Sequence, residues 1–169
     1  LIIMSIILDI LYLCYVLFFL IASSALIFRR LHDSGMSGWW YGIPSILVVI
    51  FTIIFYSLGL NPDLISSPGF LNNLQGFAKL IYSILIISII GFLIVFIMMF
   101  FKSQKTINVW GESPTNSFEF LEASKKYFTN WLDFKTRSRR SEYWWTWITL
   151  LIISILEYLF VAIFFDDIV

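Results

Sequence analysis

Arg29-Arg30-Leu31-His32-Asp33-Ser34-Gly35-Met36-Ser37-Gly38-Trp39-Trp40 lies between two long apolar runs. It holds two arginines, the single histidine, an acid and a tryptophan pair. Charged groups flanked by apolar segments of lipid length belong at a membrane surface. This stretch therefore decides the fold: the chain crosses a membrane on either side of it. Composition agrees. The 169 residues are 60% hydrophobic, 20% aromatic and 13% charged, against about 25% charged and 45–50% apolar in a water-soluble domain. So apolar a surface has lipid, not water, as its solvent.

Working outward, a hydrocarbon core of about 30 Å needs about 20 apolar helical residues. Four runs qualify: Ile2 to Phe28, Trp39 to Leu60, Leu80 to Phe101 and Tyr143 to Phe165. They do not alternate as barrel strands do, and lipid cannot satisfy open backbone groups, so each is expected to be helical. The first run exceeds one span, since Asp9 to Phe28 alone covers about 28 Å. The residues before Asp9 read either as the tail of a preceding helix joined by a tight turn, or as part of one long tilted helix. Asn61-Pro62-Asp63 and Ser66-Ser67-Pro68-Gly69 are loop punctuation, and Phe70 to Ala78 reads as a short interfacial helix. Lys102 to Phe134 is the one extended polar stretch. Within it, Asn116 to Phe134 has helical spacing, with Phe120, Tyr127, Phe128 and Trp131 on one face and Lys125 and Lys126 beside it. That pattern fits a helix lying in the membrane surface and equally a packed cytosolic helix. The expected class is an all-α membrane protein with about four transmembrane helices and a cytoplasmic amphipathic helix.

Basic residues orient the spans, because short cytoplasmic loops are rich in Lys and Arg. Arg29, Arg30, Lys102, Lys105, Lys125, Lys126, Lys135, Arg137, Arg139 and Arg140 fall on one side of a four-span arrangement, and Lys79 alone on the other. Residues 29–38 and 102–142 are therefore expected inside, with Asp166 and Asp167 outside after the fourth span. The chain opens at Leu1 without a charged leader and cleavage site, so no signal peptide is read, and the start looks like an edge within a longer protein. A single cysteine, Cys14, makes no internal disulfide.

Three segments resemble one family. Arg29 to Trp40 resembles the RRLHD-x-x-x-SGWW signature of the bacterial membrane proteins called domain of unknown function 805. Asn108-Val109-Trp110-Gly111-Glu112-Ser113-Pro114 is similar to the tail that closes that domain. Phe134 to Trp145 (FKTRSRRSEYWW) looks like its opening element. The order is inverted here: residues 1–114 match the closing part of one domain and residues 115–169 the opening part of a second. Two partial copies in tandem account for this, with the fourth span packed beside the first two. Leu1 to Asp9 also resembles Leu151 to Glu157, as equivalent ends of one span would. There are two departures. Thr136 replaces a family glycine, which questions a tight turn there, and residues 61–101 carry an additional span outside the resemblance.

The residues able to carry chemistry cluster at the inner surface: Arg29, Arg30, His32, Asp33, Arg137, Arg139, Arg140 and Glu142. They read first as a charge network joining two loops, with Asp33 and Glu142 neutralising arginines of the opposite loop, and second as a site for an anionic ligand or lipid phosphate. His32, Asp33 and Ser34 are too close in sequence for a catalytic triad. One histidine and one apolar-run cysteine fall short of a metal site. Gly35, Ser37 and Gly38 suit a tight reversal, and Trp39, Trp40, Trp144, Trp145 and Trp147 suit an interfacial belt. Asp9 and Glu157 are intramembrane acids. A charge at mid-bilayer costs about 2.5–3.5 kcal/mol, which roughly six to eight apolar residues offset; the fourth span has enough to carry Glu157, and Asp9 is expected at the outer interface.

No phosphate loop, cofactor motif or nucleic-acid patch is present. The expectation is a multi-pass protein of the bacterial cytoplasmic membrane acting without catalysis, as a structural or interaction component of a membrane assembly. Its expected associates are lipids and a protein partner or second copy. The alternatives are a small transporter or channel using Glu157, and a lipid- or anion-binding protein at the inner surface.

Overall fold

The computed structural model describes residues 2–59, 68–114 and 119–165. They form five helices: α1 (Ile2–Asp33), α2 (Trp39–Gly59), α3 (Pro68–Met98), α4 (Phe120–Thr129) and α5 (Arg140–Phe165). Among the described residues there is no strand, only an isolated bridge between Asn108 and Gly111. Four segments are long and apolar enough to cross a membrane: Ile6–Asp33, Trp39–Ser57, Gly76–Met98 and Arg140–Phe160. Leu8, Leu11, Leu13, Leu20, Val49, Ile53, Ile89, Leu93, Leu151 and Leu156 all stand exposed on them, as lipid-facing side chains do.

Of the two readings of the first run, the single long helix is the observed one, so no tight turn precedes Asp9. Two expectations are corrected. The stretch 29–38 is not simply a loop, because α1 continues through Asp33 and α2 starts at Trp39. Residues 70–78 are the first turns of α3 and not a separate interfacial helix. Pro68 opens α3, a position where its missing N–H is not needed. The punctuation at Asn61-Pro62-Asp63 and Ser66-Ser67, the start of the helical spacing at Asn116 to Phe118, and Asp166 and Asp167 lie outside the described residues.

The chain divides into two compact units, Ser37–Phe101 on one hand and Leu1–Met36 with Lys102–Val169 on the other. In the first, α2 and α3 pack as an antiparallel pair. A Cβ on Gly91 would lie 2.9 Å from the Pro44 ring. The two helices therefore approach closely because one offers no side chain, the usual device where lipid removes any hydrophobic drive for helices to associate. Tyr41 and Phe92 meet edge to face at 5.8 Å beside that contact.

In the second unit, α1, α4 and α5 pack together with the 102–114 segment. The 32 residues of α1 run about 48 Å, well beyond the hydrocarbon core. Its environment changes along that length: described side chains before Tyr15 are exposed, whereas Ala22, Ala25, Leu26 and Arg29 to Asp33 are buried. The lipid-length part ends where protein packing begins. There α4 wedges against α1. Tyr127 is fully buried, its hydroxyl is 3.0 Å from Ser23 Oγ and donates to Phe19 O at 3.4 Å, and Phe18 packs on Phe128 and Trp131. On its other side, Ser124 Oγ lies 2.7 Å from Thr149 Oγ1 and Phe120 meets Trp145. The amphipathic stretch thus forms a helix that packs on α1 and α5 and leaves Leu121 and Phe128 exposed.

Two contacts set the register of α1 and α5. Tyr15 donates to Glu157, and Arg29 pairs with Glu142. The helices thus run antiparallel, with Ala25 level with Thr146, both fully buried. A chain carrying Cys14→Ser, Ala25→Cys and Thr146→Cys should form an intramolecular crosslink with a short thiol-specific reagent in membranes. A cysteine at Ser154 in place of Thr146, some eight residues or about 12 Å along α5, should not. Equal yields from both pairs would contradict the register.

Candidate functional site: a buried charged clasp

The site begins with the end of α1. The N–H of Gly35 donates to His32 O at 3.1 Å and that of Met36 to Leu31 O at 2.9 Å, while Gly35 has a positive φ of 81°. This is a Schellman ending, which favours glycine in the left-handed position. A Cβ on Gly35 would also run into the Gln104 side chain. Gly38 has no positive φ. Ser37 instead accepts a hydrogen bond from Trp39 N at 3.3 Å at the start of α2, and Trp39 and Trp40 are exposed on that helix.

The last turn of α1 projects Arg29, Arg30, His32 and Asp33 into the protein, all buried. Asp33 is shared. Its Oδ2 pairs with Arg30 Nη1 at 3.0 Å, and its Oδ1 with Arg137 Nη2 at 3.2 Å. Glu142, in the first turn of α5, is shared likewise: Oε1 lies 3.4 Å from Arg29 Nη1 and Oε2 2.9 Å from Lys126 Nζ. The acid of each segment thus reaches an arginine of the other. Both carboxylates are fully buried, so each loses its hydration and needs its partners. The backbone adds a further tie, as Ser138 N donates to Arg29 O at 3.0 Å and satisfies a carbonyl near the helix end.

Four cations meet two carboxylates, and the surplus is handled in different ways. Arg137 is caged by backbone carbonyls. Nη1 donates to Thr106 O at 2.9 Å and Gly111 O at 3.1 Å, and Nη2 donates to Gln104 O and Asp33 O. Arg29 relies on charge, since none of its guanidinium nitrogens has a hydrogen-bond acceptor. Lys126 remains 25% exposed.

The carbonyl cage is built by the 104–111 segment. Gln104 N donates to Asp33 O at 2.9 Å. Asn108 and Gly111 exchange two backbone bonds across a turn closed by a positive φ at Gly111. Asn108 Nδ2 donates to His32 O at 3.0 Å, and the Trp110 ring stacks on His32 at 4.5 Å. His32 is thus covered on one face by Trp110, and its buried Nδ1 has no partner. Gln104, Thr106, Asn108, Trp110 and Lys126 complete the clasp without having been picked out as site residues. The one signal in the sequence was the asparagine-aromatic-glycine tail at 108–111.

Arg139 and Arg140 do not join the clasp: Arg139 is half-buried and Arg140 exposed at the start of α5. Upstream, Thr136 closes a turn despite standing where the family has glycine. Asp133 accepts from Lys135 N at 3.0 Å, from Thr136 N at 3.1 Å and from the Thr136 hydroxyl. Burial works to raise the Asp133 pKa, but these donors outweigh it and hold the carboxyl below its usual value. Burial pushes the Tyr127 hydroxyl above its usual value, against the Ser23 hydrogen bond. Asp9 is exposed on α1, and Glu157 is exposed on α5 beside Tyr15. Among the described residues no group of three or more His, Cys, Asp or Glu is placed to hold a metal ion.

One family profile matches the chain, "Protein of unknown function (DUF805)", over residues 2–112. The match runs through residues 61–101, so the additional span lies inside the family region and not outside it. No curated protein and no solved structure matches.

Two outcomes follow from the clasp. Glu142→Gln should cost about 3–5 kcal/mol of stability, because it strands Arg29 in the interior. Lys126→Gln should cost less, since Glu142 keeps Arg29 and the glutamine amide can still donate to Oε2. Denaturant titration of the purified protein in detergent measures both, and a larger loss for Lys126→Gln would contradict the assignment. For Asp133, a depressed folded pKa means that its contribution is complete above the unfolded value of about 3.9 and is lost as pH falls through the folded value. Asp133→Asn should flatten the acid limb of the stability profile and leave the neutral region parallel to wild type.

Proposed function

The chain belongs to the DUF805 family of proteins of unknown function, and from that premise we propose that it is a non-catalytic component of a bacterial cytoplasmic-membrane assembly. The supporting observation is that its most reactive-looking groups are turned inward on one another. Asp33, Glu142, Arg29 and Arg30 are fully buried, both acids are occupied by two cations each, and His32 is stacked on Trp110. A group spent in this way positions helices and does not meet a substrate. The clasp faces the cytoplasm in this reading, since ten of the eleven basic residues fall on that side. Residues 115–169 act as the opening part of a second domain. They lie beyond the matched region and bring Arg137 and Glu142 to the charges of α1. Lipids and a protein partner or second copy are the associates.

A second reading, proton or solute passage at Glu157, has one observation in its favour: a carboxyl within a membrane-length helix that accepts a hydrogen bond from Tyr15. The same bond serves equally as an interhelical tie. Flux decides between them. In reconstituted vesicles, wild type and Glu157→Gln should show the same proton and solute leak as empty vesicles, while Asp33→Asn lowers the unfolding midpoint. A wild-type flux lost in a folded Glu157→Gln protein overturns the first reading. An Asp33→Asn protein as stable as wild type removes its structural basis.

A further inference from the structure

Four cations outside the clasp converge on one pocket. Lys102, Lys105, Arg139 and Arg140 line a cavity of about 360 Å³ together with Ser103 and Ser113. All of these residues belong to the same compact unit. Among the described residues none of the four cations is within ion-pair distance of a carboxylate, whereas Arg29, Arg30, Lys126 and Arg137 each have one. Asp33 and Glu142 are occupied within the clasp, so neither neutralises the cations of the pocket. Lys102, Lys105 and Arg140 are exposed and free to reach a ligand. Arg139 is half-buried, and its Nε is shielded from solvent with no acceptor. Arg140 is also the first residue of α5, so the positive dipole end of a 26-residue helix lies at this pocket. The same residue opens the candidate span Arg140–Phe160, so the pocket lies at one end of a membrane-length segment.

We infer that Lys102, Lys105, Arg139 and Arg140 form a binding site for a phosphate group. Guanidinium forks and ammonium groups match phosphate oxygens in charge and geometry, and the serine hydroxyls supply neutral donors. An apolar or cationic ligand would leave four positive charges facing one another. The phosphate comes from an anionic phospholipid headgroup or from a soluble phosphate compound. The site does not rest on the clasp having a structural role.

The test uses the full chain in nanodiscs, with two probes. The first is phosphatidylglycerol in a phosphatidylcholine bilayer, with the lipid retained on the protein counted by native mass spectrometry. The second is inorganic phosphate added to phosphatidylcholine nanodiscs, with saturable binding read from the thermal midpoint. Lys102→Gln with Lys105→Gln, and separately Arg140→Gln, should weaken whichever probe binds, the double variant by at least about tenfold. These side chains are exposed, so near-ultraviolet circular dichroism should match wild type. Lys125→Gln with Lys135→Gln removes two exposed cations elsewhere and should change binding by less than about twofold. Site-dependent retention of phosphatidylglycerol assigns a lipid headgroup, and site-dependent saturation by phosphate assigns a soluble ligand. If neither probe depends on the pocket residues, or if the Lys125 and Lys135 control weakens binding equally, the inference is overturned.

Discussion

Burial of Asp33 and Glu142 is the constraint on which the second unit depends. A carboxylate removed from water carries a desolvation penalty of several kcal/mol unless opposite charges and donors surround it. Asp33 meets this with Arg30 from its own helix and Arg137 from the chain entering α5. Glu142 meets it with Arg29 from α1 and Lys126 from α4. Every helix of that unit therefore contributes a charge that the others need. Apolar packing alone tolerates sliding, and a shared buried acid does not, because a displaced partner leaves an unpaired charge.

Backbone geometry makes this arrangement attainable. The Schellman turn at Gly35 ends α1 just after Asp33. The chain returning at Gln104 then bonds Asp33 O and turns at Asn108 to Gly111, presenting carbonyls to Arg137. A guanidinium carries five donors in a fixed fork, so one carboxylate cannot satisfy it, and a loop that turns several carbonyls inward can. The stack of His32 on Trp110 seals the same corner with apolar surface. These features explain why the only histidine of the chain is a packing residue.

Lipid and protein divide α1 between them. Its first half presents leucine, isoleucine and tyrosine outward, and from Ala22 to Asp33 its side chains are buried or half-buried. In hydrocarbon there is little hydrophobic gain in helix association, so directional bonds and close packing decide which helices meet. Tyr15 to Glu157 in one unit and Pro44 against Gly91 in the other are two solutions to that problem. The outward-facing cations around Lys102 and Arg140 stand apart from both. They are cations that the two buried acids do not pair.

The spans were legible because lipid imposes a length and a composition that apolar runs display directly. The charges of Arg29 to Asp33 and Arg137 to Glu142 were legible as a pair of complementary segments, since each holds arginines and one acid. Less was legible where three dimensions choose among locally equal options. Nothing local separates a break before Asp9 from a continuous helix, or a separate helix at 70–78 from the first turns of α3. Gln104, Thr106 and Gly111 act through backbone carbonyls, which no side-chain pattern reveals. Lys126 sits on the amphipathic stretch, where its use by Glu142 depends on how α4 is rotated. The sequence by itself determined which segments are apolar enough to leave water and which residues carry charge. Only the tertiary structure decided which charges are spent on one another and which remain outward, because ion pairing at these distances depends on the placement of helices far apart along the chain.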